Sequence, residues 1–315
     1  MSNKVTIIGA GSVGSTIAYN MVVTGIASEI VLIDINAKKA EGEAMDILQG
    51  VPFCSPVSIY AGTYADAKGS DIVILTSGMP RKAGQSRLEL AQVNVDITKT
   101  IIPEIVKYAP EAVYIVVSNP IDILTYVFHK YSGLPSNQII GSGTTLDTAR
   151  LRSRLSETFN ISQQNVHAYV FGEHGDTSFI PWSGAYVSGV SLDEYYETVE
   201  KMGRNVTKID KDAMLEYVRT SGGQVIANKG ATFYAVSVAV CKLVATILSS
   251  SDSVATVSSM MHGEYGIEDV CLSTLTLVGP KGVQGKIPMR MTKEEVEKLK
   301  ASADALKAVI AQIEH

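Results

Sequence analysis

One short run constrains this chain more than any other. Gly9-Ala10-Gly11-Ser12-Val13-Gly14 is a G-x-G-x-x-G set between an apolar strand pattern, Lys4–Ile8, and a helical stretch reaching about Thr24. Glycines at that spacing permit a tight turn and let main-chain amides approach a ligand. The helix that follows turns its N-terminal amides toward negative charge. A second strand pattern, Glu29–Asp34, ends on a carboxylate where the fingerprint of a dinucleotide site requires one. Asp34 suits both ribose hydroxyls of NAD and repels a 2′-phosphate, and Ile35 and Asn36 follow it, not an arginine. The expected cofactor is therefore NAD, held by Gly9, Gly11, Val13, Gly14 and Asp34.

The rest of the first half alternates in the same way. Helical spacing over Ala37–Leu48 and Leu88–Tyr108 is interleaved with apolar runs at Asp71–Ser77, Val113–Ser118 and Ile139–Ile140. Strand–helix–strand repetition predicts an α/β fold, a doubly wound parallel (Rossmann) sheet with helices on both faces. Runs such as Ile72-Val73-Ile74-Leu75 suit strands buried on both sides. The second half reads as a mixed α+β catalytic domain. It has helices over Leu146–Phe159 and Asp210–Leu248, the latter interrupted near Gly222-Gly223. Strands fall at Val166–Phe171 and Val270–Val278, and a terminal helix over Thr292–Ile313 is capped by Thr292 and Glu295. The expected division is 1–142 for the cofactor and 143–315 for the substrate.

Bulk properties exclude several classes. Of 315 residues 46% are apolar, enough for a sizeable core, yet no apolar run reaches the roughly 18 residues of a membrane span. The start of the chain lacks a basic, apolar, small-residue leader pattern, so a cytoplasmic location is expected. Cys54, Cys241 and Cys271 form no C-x-x-C and suggest neither disulfides nor a metal site. A net charge of -5 with scattered cations argues against a nucleic-acid partner.

Gly172-Glu173-His174-Gly175-Asp176 sets a histidine between glycines at a strand end, a poor place for core packing. Oxidising an alcohol by hydride transfer requires removal of the hydroxyl proton, and a neutral imidazole can take it. Asp147 and Arg150 lie three apart on a predicted helix and share a face. A carboxylate there can orient an imidazole, and a guanidinium can grip a substrate carboxylate through two parallel hydrogen bonds. Gly78–Arg87 is a cationic loop with glycines near both ends, able to close over an anion.

Taken in order, Gly9–Gly14, Ser118-Asn119-Pro120, Gly141–Arg150 and Gly172–Asp176 resemble the lactate/malate dehydrogenase family, on the side of the bacterial L-lactate dehydrogenases, along essentially the whole chain. The resemblance implies His174 as proton donor and acceptor, Asp147 as its partner, Arg150 as carboxylate clamp and Arg87 as the group polarising the ketone. It places Asn119 beside substrate and nicotinamide, Thr232 in the substrate pocket and Val236 against the nicotinamide. It also implies a homotetramer, and Arg152 with His167 as a site for fructose 1,6-bisphosphate. One residue departs: Arg81 stands where lactate enzymes usually carry glutamine and malate enzymes arginine. A second guanidinium suits the second carboxylate of oxaloacetate. Malate dehydrogenase is thus the alternative to pyruvate reduction, and a non-catalytic NAD-binding protein is the remaining reading.

Overall fold

The computed structural model describes residues 3–80 and 86–313, with the main chain alone for Arg87. Strands β1 (Lys4–Ile8), β2 (Glu29–Ile33), β3 (Ser58–Ala61), β4 (Ile72–Leu75), β5 (Val113–Val116) and β6 (Ile139–Gly141) lie parallel in the order β3-β2-β1-β4-β5-β6. Helices α1 (Ser12–Thr24), α2 (Ala37–Gly50), α3 (Arg87–Tyr108) and α4 (Ile121–Ser132) connect them. Strand order reverses between β1 and β4, and open α/β sheets bind ligands outside the strand ends at such a point. The turns that follow these two strands touch there: the Thr76 hydroxyl donates to the Gly9 carbonyl at 2.8 Å.

Alternate residues of each strand enter different cores. Ile72 and Ile74 pack with Ile17 and Met21 of α1, while Val73 and Leu75 pack with Val95 and Ile102 of α3 and Leu124 of α4. Both faces are apolar, as the continuous runs require.

Part of the second half continues the sheet of the first. β10 (Ser253–His262), β11 (Glu268–Gly279) and β12 (Gly282–Lys286) extend the same sheet antiparallel from β6, giving nine strands among the described residues. A small antiparallel sheet of β7 (Val166–His167), β8 (Tyr186–Val187) and β9 (Val190–Ser191) packs with α5 (Thr145–Phe159). The remaining helices are α6 (Leu192–Lys201), α7 (Lys211–Lys229), α8 (Tyr234–Ile247) and α9 (Lys293–Ile310). α8 lies on α1: the Ser237 hydroxyl donates to the Thr16 carbonyl at 2.9 Å. The Thr292–Glu295 capping box is present at the start of α9.

Three expectations change. The long helical region breaks at Gly230–Phe233, not at Gly222-Gly223, because Gly230 at φ +85° ends α7. The strand expected over Val166–Phe171 is confined to Val166–His167; Phe171 instead bridges Phe179. β10, α4 and β3 were not anticipated. The Ser/Thr-rich β10 reads as a loop, but pairing with β6 and β11 buries Thr256, Ser258 and Ser259.

Candidate active site

The glycine turn is built by close approach. Gly9 has φ +105°, and a Cβ on Gly14 would stand 1.9 Å from the Gly9 carbonyl oxygen. Gly11 instead faces open space, with nothing within 4 Å of its Cβ position. Gly11 is also the N-cap of α1; no side chain caps that end and no acid lies in the first turn. Free amides, a helix dipole and an open cradle fit a pyrophosphate. Asp34 borders the cradle. Its carboxylate accepts the Ala10 N–H at 2.7 Å and the Asn36 N–H at 2.9 Å, which aims it and leaves lone pairs for ribose hydroxyls. Val13 and Val236 both pack on the core beneath this turn. These residues fit NAD.

His174 follows Gly172, whose φ of +91° turns the chain out of the strand direction. Its Nδ1 lies 2.5 Å from Asp147 Oδ2, and Asp147 Oδ1 accepts from Arg150 Nη1 at 2.8 Å. Side-chain exposures of 24%, 8% and 16% for His174, Asp147 and Arg150 distinguish this from a solvated surface ion pair. Burial by itself lowers the basicity of the imidazole. The charge of Asp147 and its hydrogen bond outweigh this, and His174 stands above its ordinary 6.5. Burial likewise works to raise Asp147, but His174 and Arg150 hold it below 3.8.

Two buried groups that the sequence did not single out hold these parts in place. Asp122, in the first turn of α4, accepts the main-chain N–H of His174 on Oδ2 at 2.7 Å. Burial pushes its carboxyl up to about 6, against the lowering effects of the Ser258 hydroxyl and the His174 peptide. Its Oδ1 and Ser258 Oγ nevertheless make no hydrogen bond of normal geometry. Asn94, on the buried face of α3, accepts the Met79 N–H at 2.8 Å and donates to the Asn119 carbonyl at 2.8 Å. It thereby ties the root of the cationic loop to the segment after β5. The signal available was a polar residue on an otherwise apolar helix face.

The other expected residues are placed as follows. Arg87 opens α3 behind the Ser86 cap. Arg81 lies outside the described residues. Asn119 is exposed in the segment after β5, and Thr232 is half-buried in the link between α7 and α8. Arg152, on α5, donates to the Gln163 carbonyl at 3.2 Å, and its buried Nε has no partner; His167 is exposed on β7.

Residues 3–141 match the model of the lactate/malate dehydrogenase NAD binding domain, and residues 144–315 that of the lactate/malate dehydrogenase alpha/beta C-terminal domain. The chain belongs to the lactate/malate dehydrogenase family. It is an NAD-dependent dehydrogenase of 2-hydroxy acids. Among its relatives, the L-lactate dehydrogenase of Acetivibrio thermocellus is 47% identical over 311 residues, covering 99% of this chain and 97% of that protein. That of Clostridium perfringens is 46% identical over 313 residues, covering 99% and 98%. A crystal structure of the minor L-lactate dehydrogenase of Enterococcus mundtii, in a ligands-bound form, superposes with a TM-score of 0.94 at 37% identity over 99% of each chain. A lactate dehydrogenase from a Medee basin deep-sea metagenome library gives 0.95 at 35% over the full length of both.

Proposed function

We propose that this dehydrogenase interconverts pyruvate and (S)-lactate. The observation that carries the reading is the meeting of His174, Asp147 and Arg150, in a chain whose similar relatives are named L-lactate dehydrogenases. Arg150 has one terminal nitrogen on Asp147, and its remaining donors are available to a substrate carboxylate. Protonated His174 keeps Nδ1–H on Asp147 and presents Nε2–H to the keto oxygen. Bound NADH supplies the hydride. As oxyanion charge develops, His174 gives up its proton, and Arg87 adds positive charge at the same oxygen. Asn119 and Thr232 border the substrate and Val236 the nicotinamide. Residues 1–142 carry the cofactor turn together with Arg87 and Asn119, and 143–315 carry His174, Asp147, Arg150 and Thr232 together with Val236.

Arg81 favours a second reading, reduction of oxaloacetate. A charged hydrogen bond is worth about 1.5–3 kcal/mol, enough to set a preference between keto acids. Lactate is the better-supported product because the relatives over the whole chain carry that name. Comparing kcat/KM for pyruvate and oxaloacetate tests this, and a tenfold preference for oxaloacetate overturns it. Repeating the series with fructose 1,6-bisphosphate tests Arg152 and His167 as its site: a pyruvate saturation curve unmoved by saturating effector removes that role. Self-association to a homotetramer is supported by exposed apolar side chains on neighbouring helices, Tyr19 and Val23 of α1, Met45 and Leu48 of α2, Tyr234 and Val238 of α8. Sedimentation of the intact chain checks it.

A further inference from the structure

Two consecutive peptide N–H groups at the histidine are held by side chains from different helices. That of His174 goes to Asp122 of α4. That of Glu173 goes to the hydroxyl of Ser302, in the middle of α9, at 2.9 Å. Ser302 is fully buried. Its hydroxyl also lies 2.8 Å from Thr177 Oγ1, and the Thr177 hydroxyl donates to the Glu173 carboxylate at 2.6 Å. With Glu173 ionised, the proton order is forced. The Glu173 N–H donates to Ser302, the Ser302 hydroxyl to Thr177, and the Thr177 hydroxyl back to the Glu173 carboxylate. Each donor in this closed ring is used once.

The surrounding chain is shaped for the ring. A Cβ on Gly172 would stand 2.7 Å from Ser302 Oγ, and one on Gly175 would stand 2.7 Å from the Glu173 carboxyl carbon. Glycine at both places lets the loop close on the serine. The start of α9 grips the far end of the same segment: Glu295 accepts the Ser183 N–H at 3.0 Å and the Ser183 hydroxyl at 2.5 Å. The loop that carries the histidine is thus mounted on the C-terminal helix, which contributes no group to the reacting atoms.

We infer that Ser302 is a positioning residue for proton transfer: through the Glu173 N–H and the Thr177 hydroxyl it fixes the loop that presents the His174 imidazole to Asp147. The inference rests on the reading of His174 as the proton carrier. A loop with glycine on either side of Glu173-His174 has main-chain freedom that the ring removes. An error of about 1 Å at a reacting group costs on the order of 100-fold in rate.

The test is Ser302→Ala in the full chain, since alanine preserves the helix and removes only the ring. We expect kcat for pyruvate reduction to fall at least tenfold, with KM for pyruvate within threefold and NADH binding, read by fluorescence, unchanged. Leu306→Ala, a cavity elsewhere in α9, is the control: melting temperature falls while kcat stays within twofold. Thr177→Val breaks the same ring from the loop side and gives the same kinetic pattern should Ser302→Ala not fold. Wild-type kcat in Ser302→Ala, or an equal kcat loss in Leu306→Ala, overturns the inference. His174→Ala is assayed in parallel. If it keeps turnover, the proton-carrier reading itself falls; if it is dead while Ser302→Ala is fully active, only the role of Ser302 falls.

Discussion

The chemistry of the site rests on a balance at His174. Burial disfavours the imidazolium, the Asp147 charge favours it, and the charge wins. A group whose folded pKa is raised keeps its proton to higher pH. Keto-acid reduction, which consumes that proton, is therefore flat at low pH and falls as pH rises through a value above 6.5. Oxidation of the hydroxy acid gains over the same range. Asp147→Asn removes the opposing charge, so the alkaline limb of the reduction profile moves to lower pH. The rate at its plateau drops by roughly 100-fold or more, the usual worth of a positioned general acid. A pH–rate series of both proteins checks this. The raised His174 contributes stability that is complete below the ordinary histidine value and is lost as pH rises through the raised one, while the lowered Asp147 contributes stability that is present above the ordinary carboxylate value and is lost as pH falls through the lowered one. Arg150 makes a separate prediction. Lysine cannot replace a planar fork that serves Asp147 and a substrate together. Arg150→Lys is expected to lower kcat/KM for pyruvate by about 10- to 150-fold, carried mainly by KM.

At the scale of elements, glycines separate turns that need them from helices that tolerate them. Gly14→Ala drives a Cβ into the Gly9 carbonyl, 1.9 Å away, and is expected to abolish NADH binding, measured by fluorescence titration. Within α7, Gly222 and Gly223 are ordinary helical residues, and each weakens the helix by about 0.5–1 kcal/mol relative to alanine. A Cβ at Gly223 meets nothing, whereas one at Gly222 comes within 3.3 Å of Arg150 Nη2. Gly223→Ala should raise the melting temperature and leave kinetics unchanged. Gly222→Ala should raise KM for the keto acid, because the guanidinium has to shift by a few tenths of an ångström. Equal kinetics for the two alanine variants would show that the clamp does not depend on that contact.

For the whole molecule, one sheet joins the two halves. β10 pairs with β6 across the expected division, and α8 lies on α1. Residues 1–142 alone would leave the β6 edge unpaired and uncover apolar surface around Ile17, so that fragment is expected to aggregate. Light scattering of the isolated fragment checks this. Much of the site was legible in the sequence: the cradle and His174 involve glycines, Asp34 ends the second strand, and Asp147 and Arg150 lie at helical spacing, and such local rules act over a few residues. Asp122, Asn94, Ser302 and β10 were not legible. Their polar side chains look like ordinary helix or loop residues until distant segments bury them against an unpaired N–H or carbonyl. Short-range pattern decided the parallel half of the sheet and the kinds of side chain offered to the reaction. Only the tertiary structure decided which peptide groups those side chains hold, because a buried hydrogen bond takes its partner from whichever segment packing brings within about 3 Å.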